Sequence, residues 1–458
     1  ITQQQFSPEA IKKKIENHPF ASKAKNKQPR ILTITQSTYD GVIYNVETIK
    51  DMLGDSIGTL HFDEAWLPHA TFHEFYKDMH AIGGNERPRA ESATVFSTQS
   101  THKLLAGLSQ ASQILVQEPK TSTFDSHRFN ESYLMHTSTS PQYSIIASCD
   151  VAASMMEQPA GRSLVDESLR EAISFRKAMR KVDDEFGDDD WWFKVWGPEY
   201  ISNEEAPVRE DWMINPNDDW HDFNIKEADF NMLDPIKATV ITPGLNVKGE
   251  FDEFGIPAVI VSKYLAEHGI VVEKTGLYSF FIMFNIGITK GRWNSLVTEL
   301  QQIKDDYDSN QPLWKILPEF VAVNRQYERM GLKDLCDQIH AMYQKFDVAK
   351  ITNEMYVSNI EPAMLPSDAW TKMSHNEIER VSIDELEGRV TAILITPYPP
   401  GIPLMVPGER FNSEIINYLQ YVKIFNTEFP GFEADVHGLM RSPNKNDNEY
   451  YLDVVKED

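Results

Sequence analysis

The stretch Thr94-Val-Phe-Ser-Thr-Gln-Ser-Thr-His-Lys103-Leu-Leu-Ala-Gly-Leu108 decides the fold. It opens on a β-forming run and closes on a helix-forming one, with hydroxyls, an imidazole and an amine at the junction. Similar runs flank it. Arg30-Ile-Leu-Thr-Ile-Thr35 ends in the turn-prone Ser37-Thr-Tyr-Asp-Gly41, Gly58-Thr-Leu-His-Phe-Asp63 is a second short strand, and Gln113-Ile-Leu-Val-Gln117 a third. Between the first two, apolar spacing predicts a helix from Val42 to Leu53. Strand, turn, helix, strand is the α/β pattern, and such proteins bind ligands in the crevice at the strand ends. Asp63, Ser100 and Lys103 all stand at such ends.

Two segments carry chemistry there. In Ser97-Thr-Gln-Ser-Thr-His-Lys103 the hydroxyls and imidazole suit a phosphate, and the amine can condense with an aldehyde. A lysine beside Ser and Thr is more commonly just a solvated helix start. In His61-Phe-Asp-Glu-Ala-Trp66 a carboxylate can pair with a protonated ring nitrogen, and the small Ala65 admits a flat ring. Taken alone, Asp63 reads more readily as a helix cap and Trp66 as core.

Further along, Ser7-Pro-Glu-Ala-Ile-Lys12 has the form of a capped helix start, and Ser163 with Asp166 that of a capping box opening a long helix. Leu164, Leu169, Ile173, Met179 and Val182 give that helix one apolar face. An acidic loop at Gly187-Asp-Asp-Asp190 feeds a strand at Trp191 to Trp196. Ala238-Thr-Val-Ile-Thr242, a helix from Pro257 to His268, Gly269-Ile-Val-Val-Glu273 and Ser279-Phe-Phe-Ile-Met-Phe284 continue the alternation. From Leu313 helical spacing resumes, then Arg389-Val-Thr-Ala-Ile-Leu-Ile395 reads as a strand. Pro397-Tyr-Pro-Pro-Gly-Ile-Pro403 is expected to be a rigid loop, since its prolines lack amide donors. Segments 1–153, 154–310 and 311–458 are the expected domains, in keeping with 458 residues being too long for one core.

Bulk properties exclude some classes. A net charge of −25 argues against nucleic acid or an anionic membrane as partner, because phosphate contacts need clustered Lys and Arg. The longest apolar runs, such as Phe280 to Phe284, are too short to span a bilayer. Cys149 and Cys336 lie far apart without zinc or CxxC spacing, which fits a reducing compartment, so the cytoplasm is expected.

The two chemical segments, with Tyr133-Leu-Met-His-Thr-Ser-Thr-Ser-Pro141, Leu233-Asp-Pro-Ile-Lys237, Gly255-Ile-Pro-Ala258 and the proline-rich 397–403, resemble the consecutive signatures of the bacterial inducible lysine/arginine/ornithine decarboxylases. That resemblance implies an aminotransferase-like, pyridoxal-phosphate-binding large domain, present in part, followed by a smaller α/β domain and a C-terminal α+β domain. It makes Lys103 the Schiff-base lysine and Asp63 the partner of the pyridine nitrogen. Ser100 and His102 would contact the phosphate, and Ala65 and Trp66 would line the ring. Ser138 and Ser140 match positions that reach the phosphate from the neighbouring subunit of a homodimer, itself part of a higher homo-oligomer, a decamer in the family. Gln36 stands where the family commonly has Asn. The resemblance also implies that a response-regulator-like domain and the first part of the cofactor domain precede Ile1. That part would carry a Gly-Thr-Ser-type phosphate loop and a ring-stacking histidine.

The implied reaction is loss of carbon dioxide from a basic amino acid, consuming a proton, with acid resistance or polyamine metabolism as its setting. Glu273 is a candidate partner for a distal cation, and equally reads as a surface strand-end charge; its segment resembles lysine decarboxylases, whereas Gly287-Ile-Thr-Lys-Gly-Arg-Trp293 leans to the arginine branch. Lysine to cadaverine is the favoured conversion, with arginine or ornithine as alternatives. A catalytically silent regulatory relative is a further alternative, against which stands the presence of both Lys103 and Asp63. A serine acyl-enzyme would use Ser100-Thr-His-Lys103 and Lys274-Thr-Gly276, but lacks the SDN-like element between them. His69 and His73 have no third ligand at metal spacing and read as surface histidines, so no metal is expected.

Overall fold

The computed structural model describes residues 2–26, 28–83, 88–187, 190–202, 204, 206–398, 401–443 and 447–456. The chain divides into two compact units. The first comprises Ile1–Lys181, Val195–Thr239 and Ile282–Asn294, and the second Val182–Lys194, Val240–Phe281 and Ser295–Asp458.

The first unit is built on a four-stranded sheet in the order Ile31–Thr35, Thr59–Asp63, Thr94–Gln99, Gln113–Gln117. The first three strands run parallel and the last antiparallel. Because successive side chains alternate between faces, Ile34, Leu60, Phe62 and Val95 enter one core with Tyr44, Val46, Ile49, Leu53 and Phe230. Thr33, Thr35, His61, Asp63 and Thr98 take the other face. The register sets Thr35, Asp63 and Thr98 side by side at the carboxyl ends of three parallel strands. That row positions the site.

The helix expected from Val42 begins later. Val42–Tyr44 pairs antiparallel with Asn231–Leu233, and the helix is Val46–Leu53, its first turn capped by Asn45 Oδ1 accepting the Thr48 amide at 3.0 Å. The apolar periodicity is real, with Val46, Ile49 and Leu53 buried, but three β-prone residues ahead of the cap take a partner strand instead. Ser7 does cap its helix, accepting from the Ala10 amide at 3.1 Å. Ser163 does not cap the long helix, which runs Ala160–Phe186; its hydroxyl donates back to the Pro159 carbonyl at 3.3 Å. The buried face of that helix holds Val165, Leu169, Ala172, Phe175 and Met179.

In the second unit, Phe280 and Phe281 pair antiparallel with Thr275 and Lys274, so the strand begins just after Glu273, where Gly269 to Glu273 was expected to form it. The helix Ala258–Glu267 agrees with expectation. Helices Leu332–Phe346, Val348–Val357 and Ser413–Glu428 pack through rings such as Tyr343 and Phe425, whose centroids lie 5.7 Å apart. A three-stranded antiparallel sheet joins Ile378–Ser382, Tyr450–Val455 and Met440–Arg441. The run 389–395 makes isolated bridges only, through Val390, Thr391 and Ile395. Pro397 sits in a short strand, Thr396–Tyr398, paired with Asp435–His437. A two-stranded ribbon leaves one edge unpaired, which tolerates the missing amide. Residues 399–400 of the expected loop, and 188–189 of the acidic one, lie outside the described residues. Among the described residues no helix is long and apolar enough to cross a membrane.

Candidate active site

Asp63 ends its strand half-buried, and its Oδ1 accepts the Ala65 amide at 3.1 Å, a local turn that holds the carboxylate at the sheet's edge. The chain then presents Trp66. Lys103 follows the neighbouring strand within a single helical turn, Thr101–Leu104, and its Nζ stands 4.4 Å above the Trp66 ring. Cation–π attraction and the flat wall of the indole both orient the amine. On the same sheet face the His61 ring lies between two hydroxyls, Thr33 Oγ1 at 3.3 Å and Thr98 Oγ1 at 3.1 Å.

Ser100 precedes the helical turn, its carbonyl accepting the Lys103 amide at 3.1 Å. His102 Nδ1 is 2.9 Å from the Ala111 carbonyl. A carbonyl only accepts, so Nδ1 carries a proton and Nε2 is the atom left to meet a ligand. Thr101 Oγ1 is buried and has no hydrogen-bond partner among the described residues. Ser138 and Ser140 are exposed on a turn between two helices, where the Ser140 amide donates to Ser138 Oγ at 3.1 Å. Glu273 belongs to the second unit and is exposed, its amide donating to the Phe281 carbonyl at 2.9 Å. The structure thus gathers Asp63, Ala65, Trp66, Ser100, His102 and Lys103 at one end of one sheet. Ser138 and Ser140 face solvent.

Behind this row are charged groups that sequence reasoning passed over. Glu64, next to Asp63, turns into the core, where it accepts from the Ala81 amide (2.5 Å), Ser97 Oγ (2.5 Å) and Gln99 Nε2 (3.1 Å). Burial raises its carboxyl above the usual range, against the pull of these donors and of Lys50. Lys237 is fully buried, 3.1 Å from Asp234 Oδ2 and 2.7 Å from Ser37 Oγ. Burial lowers its ammonium, Asp234 opposes that, and the charge of Lys103 adds to it. Asp234 also accepts from Tyr76 OH at 2.7 Å, and Arg176 donates to the Lys237, Trp196 and Pro235 carbonyls. The phenol is pushed up by burial and by Asp234, and burial brings the Arg176 guanidinium down to about 9.

His69 corrects an expectation. It is 2% exposed, not a surface histidine, and the segment forms two short 3-10 turns, Ala70–Phe72 and Glu74–Tyr76, rather than one helix. Its ring stands edge-on to Tyr76 with centroids 4.7 Å apart, so packing against that phenol draws it inward. Burial lowers its pKa to about 4 despite Asp234 Oδ2 at 3.7 Å. Leu233-Asp-Pro-Ile-Lys237 was visible as a motif, but nothing in its pattern says that both charges are buried. Gln36 is buried too, its Nε2 donating to the Tyr44 and Met79 carbonyls at 2.6 Å each. In this chain that amide ties backbone segments together.

The model of the Orn/Lys/Arg decarboxylase major domain matches residues 1–292, and that of the family's C-terminal domain matches 349–456. The chain belongs to the Orn/Lys/Arg decarboxylase family. Among the family's members it is 48% identical to lysine decarboxylase LdcA of Pseudomonas aeruginosa over 99% of this chain and 60% of that one. It is 38% identical to the biodegradative arginine decarboxylase of Escherichia coli over 96% of this chain and 60% of that one. The solved structure of lysine decarboxylase A from Pseudomonas aeruginosa superposes with a TM-score of 0.93, at 48% identity, over 99% of this chain and 61% of that one. The Francisella novicida lysine decarboxylase LdcF gives 0.90 at 36% identity, over 100% and 61%. The family fold expected from sequence is therefore present, and this decarboxylase-family chain spans about 60% of the length of the curated relatives it matches.

Proposed function

We propose that the protein containing this chain is a pyridoxal-phosphate-dependent carboxy-lyase that converts L-lysine to cadaverine and carbon dioxide. The observation that carries the reading is an amine and a carboxylate at adjacent strand ends of one sheet face, with an indole wall beneath the amine. The donor set suits this cofactor: an amine for its aldehyde, an acid for its ring nitrogen, and a hydroxyl and imidazole for its phosphate. When bound, pyridoxal phosphate supplies an electron sink for the pair left at Cα as carbon dioxide departs.

The chain's own residues do the rest. Lys103 would hold the cofactor through its amine, the group able to condense with the cofactor's aldehyde. The Asp63 carboxylate would pair with the protonated ring nitrogen of the cofactor. Trp66 keeps water from one side of the Lys103 amine. Ser100 and His102 Nε2 would hold the phosphate, and Ser138 and Ser140, exposed in one chain, would serve the site of a second copy in a homodimer. The Cα proton comes from Lys103 or a neighbouring acid. Cytoplasmic residence fits the absence of any need for disulfides: Cys149 and Cys336 are both free.

Lysine is favoured over arginine and ornithine by the identity to lysine decarboxylases. Carbon dioxide release from the three amino acids by the full-length protein tests this. Lysine should be turned over at least about tenfold faster, on the scale of a one-methylene or end-group mismatch. A preference for arginine or ornithine would overturn the substrate assignment, and no release from any would overturn the activity.

A further inference from the structure

Lys237 is a buried cation with no part in the chemistry above. A buried ion pair is rarely worth more than well-packed apolar side chains, so its place calls for another account. Its ammonium reaches Ser37 Oγ, at the start of the turn that follows the Ile31–Thr35 strand. The same turn is tied at each end to the segment around Lys237. The Asp234 amide donates to the Gly41 carbonyl at 2.8 Å, and Thr239 Oγ1 donates to Asp40 Oδ1 at 2.7 Å. Within the turn the Gly41 amide donates to the Thr38 carbonyl at 3.1 Å and the Val42 amide to Thr38 Oγ1 at 3.0 Å. Gly41 has φ +95°, and a Cβ there would lie 2.9 Å from Lys237 Cβ, so only glycine lets the turn sit this close.

What this clamp presents is Tyr39. Its ring packs on Trp66 with centroids 5.2 Å apart and planes tilted by 54°, and Trp66 in turn underlies the Lys103 amine at 4.4 Å. A lysine has four rotatable bonds, and an amine that must leave and regain the cofactor in each cycle gains from a fixed floor. We propose that Tyr39 is a positioning residue for the Lys103 amine, acting through Trp66, and that the buried Lys237–Asp234 pair fixes the turn that carries it. The inference rests on Lys103 being the cofactor-bearing amine.

The test uses the full-length protein stripped of cofactor, then mixed with pyridoxal phosphate and quenched with borohydride at intervals. Peptide mass mapping gives the rate at which a pyridoxyl group appears on Lys103, relative to exposed lysines such as Lys12. Tyr39→Ala should slow capture at Lys103 about tenfold, the scale of one lost aromatic contact at a reacting group, with the exposed lysines unaffected. Tyr39→Phe, which keeps the ring, should stay within about twofold. In steady state Tyr39→Ala should lower kcat with little change in KM. Lys237→Met combined with Asp234→Asn removes both members of the ion pair while leaving Arg176 its three carbonyl acceptors, and should slow capture in the same way. Wild-type capture in Tyr39→Ala would overturn the proposal, as would equal loss in Tyr39→Ala and Tyr39→Phe. A wild-type rate in the folded double variant would overturn the part assigned to Lys237. Absence of capture at Lys103 in the unaltered protein is a different result, and it would overturn the reading of Lys103 itself.

Discussion

Asp63 and Glu64 are chain neighbours with opposite fates. Asp63 faces the open side of the sheet and Glu64 is fully buried among donors. The strand ends at Asp63, which faces outward, and the next residue is turned inward to the Ala81, Ser97 and Gln99 donors. Asp63→Ala should still capture pyridoxal phosphate on Lys103, but carbon dioxide release should fall on the order of a hundredfold or more, the usual loss when a preorganised charge is removed from a reacting centre. Near-normal release in that variant would take Asp63 out of the mechanism. His69 makes a second prediction. Its folded pKa of about 4 lies below the ordinary histidine value of 6.5, so the unfolded state binds more protons between those limits. Stability should therefore fall as pH drops through that window, by up to about 3 kcal/mol from this group. Glu64, raised by burial, works in the opposite sense. The contribution of His69 is thus read as the difference between wild type and His69→Gln in denaturant melts from pH 7 to pH 4. Parallel curves for the two proteins would contradict it.

At the scale of elements, strands with β-branched residues and clear turn signals were legible in the sequence. Arg30 to Thr35, Gly58 to Asp63, Thr94 to Gln99 and Gln113 to Gln117 all became strands of one sheet. Val42–Tyr44 was not, because its partner, Asn231–Leu233, lies far away in the chain and local periodicity cannot see it. Ser163 failed as a cap for a related reason: a Ser with Asp three residues on fits a helix interior as well as its start. The placement of Asp63 and Lys103 at neighbouring strand ends was legible. The layer behind them was not, since Glu64, Asp234, Lys237 and His69 carry charge or polarity that sequence rules assign to the surface. Glu64 is the link between elements, joining the Ala81 backbone to Ser97 and Gln99 of the next strand. Glu64→Ala leaves those three buried donors without an acceptor and should cost about 3 kcal/mol or more of stability. A loss below about 1 kcal/mol in urea unfolding would show that the network is dispensable.

For the whole molecule, Ser138 and Ser140 are the residues whose place one chain does not explain. They matched phosphate-contacting positions in sequence but are exposed here. A shared site resolves this if a second copy brings its own turn to the first copy's Lys103. Mixing Lys103→Ala subunits with Ser138→Asp subunits should then restore about a quarter of wild-type activity, because half the dimers are hybrids and each has one intact site. No recovery, with subunit exchange verified, would confine the site to one chain. All of these expectations presuppose that one amine bears the cofactor. Reduction of the full-length holoenzyme with borohydride, followed by peptide mapping, tests that most directly. A pyridoxyl mass should appear on the peptide containing Lys103 and vanish in Lys103→Ala, whereas a stoichiometric label on any other lysine would contradict the account.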